Sequence, residues 1–213
     1  MLVSALATKA HGAVDALALI TGTGLAGDRH ADPLGPRHVL LASGPVLAAH
    51  RLAPGAIGDN LIVDEAIDAL PSGALLAIGD AVLRVTFRCE SCHHLDRVRP
   101  GLAAALRGQR GVLARVVAGG TIAVGDRIAV GARRLRAIPD QPRDRLADLL
   151  AIMPAGQVVT YRQLRTTLGY PTAYLRAVPA WLKRLGAAER VVKVADAARS
   201  WDSRAYFADE QPR

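Results

Sequence analysis

The stretch Ile78-Gly79-Asp80-Ala81-Val82-Leu83-Arg84-Val85 decides the fold class of the first two-thirds of this 213-residue chain. A Gly-Asp pair forms a tight turn in which glycine supplies a positive φ, and the apolar run behind it has strand periodicity. The phrase returns at Val124-Gly125-Asp126-Arg127-Ile128-Ala129-Val130, so Asp80 and Asp126 are read as turn residues. Working outward, residues 21–130 are punctuated by glycine, with β-branched runs at 81–87, 111–117 and 121–130 between the turns. That is the pattern of an all-β barrel or sandwich.

The style changes at Arg133-Arg134-Leu135-Arg136. We read residues 1–136 as a β domain, 137–142 as a Pro-containing linker and 143–213 as a second, α/β domain. Leu146, Leu149 and Leu150 form an i, i+3, i+4 stripe over 143–152, opened by Asp144. After the break at Pro154-Ala155-Gly156 the expected order is a strand at 157–161, a helix at 162–168 closed by Gly169, and a helical stretch at 171–185 closed by Gly186. Runs 190–195 and 203–208 are expected to pair as a hairpin. Three helices followed by a two-stranded wing is a winged-helix order.

Charge and composition narrow the classes. Every apolar run is interrupted well before the ~20 residues a spanning helix needs. No basic segment followed by an apolar stretch and a cleavage site opens the chain, so a cytoplasmic location is expected. The net charge of +8 admits a polyanionic partner. Residues 1–138 carry 15 basic and 11 acidic side chains and residues 139–213 carry 12 and 8, so the excess is denser in the shorter part.

Both cysteines fall in Arg88-Cys89-Glu90-Ser91-Cys92-His93-His94-Leu95, at the exit of the strand that follows the first Gly-Asp turn. Cys-x-x-Cys-His is the string of c-type haem attachment, but that chemistry normally follows export. A structural zinc site would take three or four ligands from the Cys-x-x-Cys knuckle with His93 or His94, although a second, distant knuckle is missing. A thioredoxin-like pair opens a helix in a βαβ unit, which is not the setting here. Two buried core thiols are the plain alternative, and Arg88, His93 and His94 argue against an inert apolar site. Nearby positive charge favours a thiolate, which is both a nucleophile and a soft metal ligand.

Residues 22–130 resemble the MOSC family, the domain named for the C-terminus of molybdenum cofactor sulfurase. The resemblance rests on six strings in order: GLAGDRHAD (24–32), RHVLLAS (37–43), LAPGAIGDNLIV (52–63), LPSGALLAIGDAVLRVT (70–86), SCHHL (91–95) and RGVLARVVAGGTIAVGDRI (110–128). It implies a β-barrel with short helices. It also implies that Cys92, three residues before Leu95, ligates molybdenum in a bound pterin cofactor or carries a persulfide sulfur. Gly27, Asp28, Arg29, His30, Arg37 and Asn60 are the pocket candidates it carries over, with Arg29 and Arg37 suited to a pterin phosphate. Cys89 has no fixed counterpart and is either a resolving thiol or incidental. Gly27 and Gly58 are otherwise turn glycines, Asp28 and Asp59 otherwise turn caps, and His11, His38 and His50 give no signal beyond surface or packing.

Residues 149–186 resemble the DNA-binding winged helix of alkylguanine DNA alkyltransferases and their alkyltransferase-like relatives, through MPAGQVVTYRQL and LRAVPAWL. The family's Pro-Cys-His-Arg string is missing and no cysteine follows position 92, so alkyl transfer is excluded. What the resemblance leaves is DNA or RNA binding, with Tyr161, Arg162, Arg176, Lys183 and Arg184 as contacts and Tyr170, Tyr174 and Trp181 available for stacking.

These readings converge on a cytoplasmic protein with a MOSC-like β-barrel and a winged-helix tail. The leading expectation is molybdenum-cofactor-dependent reduction of N-hydroxylated compounds, including modified bases, served by an electron-donor protein. A persulfide carrier acting with a pyridoxal-phosphate-dependent desulfurase is the second, since the chain has only three lysines and no Schiff-base candidate. A non-catalytic nucleic-acid-binding redox or ligand sensor is the third.

Overall fold

The computed structural model describes residues 1–8, 12–28, 30–67 and 69–210. The chain divides into two compact units, Met1–Asp32 with Arg37–Ala137, and Pro33–Pro36 with Ile138–Arg213.

The first unit contains β1 (Val3–Thr8), β2 (Gly12–Val14), β3 (Ala16–Ile20), β4 (Gly24–Leu25), β5 (Val39–Ser43), α1 (Gly44–Ala49), β6 (Leu61–Val63), β7 (Ala74–Ile78), β8 (Ala81–Arg88), α2 (Leu102–Ala105), β9 (Val112–Ala118), β10 (Gly120–Ala123) and β11 (Ile128–Arg134). Eight strands make one sheet in the order β11-β7-β8-β9-β5-β6-β1-β2, and β10-β3-β4 make a second. The Gly79–Asp80 turn joins β7 to β8 with Ile78 opposite Ala81, and Gly79 has φ 51°, which an L side chain adopts only at a cost. The second Gly-Asp turn is tied by the Ala123 N–H donating to Asp126 Oδ2 at 2.8 Å.

Alternation along β8 sets the core. Ala81, Leu83 and Val85 join Val112, Ala114 and Val116 of β9 in an apolar cluster that also takes in Leu6, Leu41, Leu61 and Leu76. The register partners Arg84 and Arg115 therefore point to the other face of the sheet.

The expected closed barrel is corrected to an open, curled sheet. Its ends approach at the isolated bridge Leu2–Arg127, helped by Val3 N–H donating to Asp126 O and Ile128 N–H donating to Met1 O, both at 2.9 Å. Among the described residues, however, β2 and β11 share no ladder, so the two edges stay unpaired with each other.

The second unit contains α3 (Pro142–Ile152), β12 (Val159–Thr160), α4 (Tyr161–Thr167), α5 (Val178–Arg184) and β13 (Val191–Val192). Proline opens α3, and Leu146 and Leu149 bury its apolar stripe. A capping box starts α4: the Thr160 side chain accepts from Gln163 N–H at 3.2 Å, and Gln163 Oε1 accepts from Thr160 N–H at 2.9 Å. Thr160→Ala is expected to cost about 1 kcal/mol in a urea titration. Thr160→Ser, which keeps the hydroxyl, should restore most of that.

The winged-helix expectation is corrected here. The 190–195 and 203–208 runs do not form a hairpin: Val191–Val192 pairs in parallel with Val159–Thr160, and Ser203–Glu210 is 3-10 helical with a break at Phe207. Tyr206 donates to Asp148 Oδ2 at 2.6 Å, which secures the last segment to α3 rather than to a strand. Among the described residues no helix is long and apolar enough to cross a membrane.

Candidate functional site

Three anchors place Cys92. Where β8 runs out, the Cys89 N–H still donates to Gly111 O at 2.9 Å, which holds the start of the segment against β9. At the far end Leu95 is buried among Leu47, Ile57, Ile62, Leu102 and Leu106, while its N–H donates to Cys92 O at 2.9 Å. Between them the Ser91 hydroxyl donates to Leu106 O at 2.8 Å. The Cys92 side chain is left half-buried and Cys89 is buried; both are free thiols.

Two arginines converge on this segment. Arg110 Nη1 donates to Glu90 O at 2.8 Å and lies 3.6 Å from Cys92 Sγ, while its Nη2 donates to Ile57 O at 3.0 Å. Its fork is thus oriented by two backbone carbonyls and faces the sulfur as a fixed charge. Arg37, just before β5, pairs with Glu90 Oε2 at 3.1 Å and reaches Cys89 Sγ at 3.7 Å, with its guanidinium carbon 5.9 Å from the centre of the Phe87 ring. Burial pushes the Cys89 thiol up, with Arg110 and Arg37 opposing that and Glu90 and Cys92 adding to it. For Arg37, burial by itself would lower the pKa, but Cys89, Glu90 and Cys92 outweigh it and hold the guanidinium above its ordinary value.

Of the other pocket candidates, Asn60 is committed to the scaffold. Its Oδ1 accepts from Leu40 N–H at 3.0 Å and its Nδ2 donates to Ala7 O at 3.5 Å, so it ties β5 to β1. Asp59 is buried and caps its loop by accepting from Gly55 N–H at 2.8 Å and Ile57 N–H at 3.1 Å. Asp28 accepts from His30 N–H at 2.7 Å, and the His30 side chain is exposed. Arg29 lies outside the described residues. Arg110 and Glu90 were not singled out by the sequence. The only signal was that Arg110 begins one of the six strings.

The molybdenum expectation is corrected by the donor set. Among the described residues no three or more His, Cys, Asp and Glu side chains are grouped to hold a metal ion. The two cysteines are non-adjacent, His93 and His94 are exposed, Glu90 is spent on Arg37, and Asn60 on backbone. Cys92 as a molybdenum ligand, the molybdenum–pterin cofactor, and the reduction of N-hydroxylated compounds or bases that depended on it do not fit the described residues; of the expected cofactor contacts, His30, Arg37 and Asn60 are described and Arg29 is not.

The basic contacts expected in the second unit are distributed over separate elements. Tyr161 and Arg162 open α4, Arg176 ends the 3-10 turn Thr172–Arg176, and Lys183 and Arg184 occupy the last turn of α5, where cations suit the helix dipole. Tyr170, Tyr174 and Trp181, the rings expected to stack on bases, form one cluster in which Tyr170 is buried and Tyr174 and Trp181 are half-buried. They meet edge to face, with centroids 5.8, 6.2 and 6.4 Å apart, and Arg145 lies 5.7 Å from the Tyr170 ring. Without the expected wing among the described residues, the DNA-binding expectation is not supported.

Comparison with known proteins gives a family match within the first unit and fold matches over most of the chain. Residues 37–129 match the MOSC domain family model. No curated protein matches the chain. Among solved structures, one described as a hypothetical protein is 21% identical, with 93% of this chain and 95% of that chain covered at a TM-score of 0.55. YiiM from Escherichia coli is 18% identical, with 93% and 98% covered and a TM-score of 0.54. The YUAD protein from Bacillus subtilis is 20% identical, with 60% and 93% covered and a TM-score of 0.50. At these identities the likeness shows the fold.

Proposed function

We propose that the MOSC-domain region at residues 37–129 carries a nucleophilic thiol centre in which Cys92 exchanges with the S–S bond of a small, negatively charged substrate. The observation that carries this reading is Arg110 Nη1 held 3.6 Å from a half-buried free sulfur by two backbone carbonyls. In the exchange the Cys92 sulfur attacks one sulfur of the substrate, a mixed disulfide forms, and the other sulfur departs as a thiolate with the bonding pair. The guanidinium meets negative charge wherever it resides on the sulfurs in line, without having to reorient. Cys89 is buried, so a substrate meets Cys92 first.

The test compares an anionic aromatic disulfide, 5,5′-dithiobis(2-nitrobenzoate), with neutral 2,2′-dipyridyl disulfide. Cys92→Ser should remove the fast phase of thiol release with both. Arg110→Gln should slow the anionic probe about tenfold, equivalent to ~1.4 kcal/mol, and the neutral probe much less. Arg110→Lys should recover part of the preference for the anionic probe, because it keeps the charge and loses the fork. Unchanged fast release in Cys92→Ser would refute the reading.

A further inference from the structure

We propose that Cys89 is a second catalytic residue, the resolving thiol that releases the Cys92 adduct by forming a Cys89–Cys92 disulfide. This rests on Cys92 being the nucleophile, and it extends that reading from group exchange to two-electron reduction of the substrate. The arrangement has three parts. The two cysteines lie three positions apart on a segment without regular secondary structure, so their sulfurs can approach without breaking a strand or helix. They differ in access, Cys92 being half-buried and Cys89 only 4% exposed, so a substrate meets Cys92 first. Both belong to one charge cluster, since Glu90 receives Arg37 on its carboxylate and Arg110 on its carbonyl while those same arginines reach Cys89 and Cys92.

The Arg37 guanidinium, paired with Glu90, lies 3.7 Å from the Cys89 sulfur, so this thiol faces charge as well as core. Burial and the raised pKa keep Cys89 protonated and inert toward outside electrophiles while Cys92 is free. Once Cys92 carries –S–R, the electrophilic sulfur is intramolecular and the high effective concentration favours attack by Cys89.

Cys92 takes RS from R–S–S–R′ and R′S⁻ leaves. The Cys89 sulfur then attacks Cys92 Sγ, the Cys92–SR bond breaks, and RS⁻ departs, taking up the proton Cys89 gives up. The substrate disulfide gains two electrons and the two thiol protons of the pair, that of Cys92 going to R′S⁻ and that of Cys89 to RS⁻, and becomes two thiols, while the cysteine pair loses two electrons and becomes a disulfide. A small external dithiol reduces that disulfide and closes the cycle. Formation of the disulfide requires the two Cα atoms to lie within roughly 4.4–6.8 Å, which a short irregular segment permits.

The experiment uses the full chain, reduced, freed of reductant and exposed to a small excess of 5,5′-dithiobis(2-nitrobenzoate). Thiol release is followed together with intact mass. The wild type should release a second thiolate after the first and end lighter by two hydrogens, with no adduct and a peptide map linking Cys89 to Cys92. Cys89→Ala should release only the first thiolate and hold the adduct at least about tenfold longer. Persistence of the adduct on the wild type for as long as on Cys89→Ala would overturn the resolving role while leaving Cys92 as nucleophile. An unchanged Cys92→Ser would instead overturn the reading beneath it. If Cys89→Ala fails to fold, the wild-type mass and peptide map decide by themselves.

Discussion

Lowering the pH from 7 to 4 is expected to destabilise the first unit by about 3 kcal/mol through one side chain, His38. His38 is 1% exposed, so it cannot take up a proton cheaply. Its Nδ1 accepts from Val116 N–H at 3.2 Å. The proton therefore sits on Nε2, which donates to Asp32 O at 2.9 Å. Arg115 Nη1 lies 3.5 Å from that same Nε2, so a second positive charge would be both buried and repelled. Burial first, then Arg115, hold the His38 pKa down at about 3, against the stabilising Asp32 carbonyl and with a small further push from His30.

The sign follows directly. Because the folded pKa lies below the unfolded value near 6.5, the unfolded chain takes the proton first as pH falls. The stability is complete above pH 6.5 and is lost progressively down to about pH 3. A loss of that size is a large share of the ~5–15 kcal/mol typical of a domain. His38→Asn retains an acceptor for Val116 N–H and removes the titrating group. It should be less stable than wild type at pH 7 yet lose less on acidification. Urea midpoints at pH 7, 6, 5 and 4, followed by far-ultraviolet circular dichroism, measure this. Parallel curves for the two proteins would contradict the assignment.

Gly111→Ala should cost about 3 kcal/mol or more and disturb the thiol segment with it. Gly111 has φ 112°, outside the range L side chains favour, and an added Cβ would sit 2.0 Å from Leu41 O. Leu41 is the register partner of Val112, so the intruding methyl would have to part β5 from β9 at the centre of the large sheet. The Gly111 carbonyl also receives Cys89 N–H, so the same displacement would loosen the near anchor of Cys92. Gly108 is the control: it too has a positive φ, 78°, but an added Cβ meets nothing within 4 Å. Gly108→Ala should therefore show only the backbone penalty, about 1 kcal/mol. Equal losses for the two variants in urea titrations would show that the close approach to Leu41 contributes nothing.

Together with the thiol chemistry, these expectations describe a site whose sulfurs are held by backbone contacts rather than by the sulfurs' own neighbours. Gly111 and Leu95 place the segment, and Arg110 and Arg37 supply its charge. A change at the scaffold should therefore reach the sulfur, and a change at the sulfur should leave the scaffold standing.

What the sequence determined by itself was local. The two Gly-Asp turns, the strand that leads into Cys89 and Cys92, and the helices of the second unit follow from period-2 and helical runs and from glycines acting over a few positions. What only the tertiary structure decided was pairing and exposure. Val191–Val192 was readable as a strand, but its partner proved to be Val159–Thr160 in parallel rather than the 203–208 run, because nothing local selects between distant edges. Asn60 read as a cofactor contact until Leu40 and Ala7 were found to occupy its amide. Arg110 reaches Cys92 across 18 positions and Ile57 across 53, and Arg37 reaches Cys89 across 52. Such contacts form only after the sheet curls and brings β5, β8 and β9 together. For this reason the sequence could draw attention to the Cys89–Cys92 segment, and only the folded chain could supply its arginines and separate a half-buried thiol from a buried one.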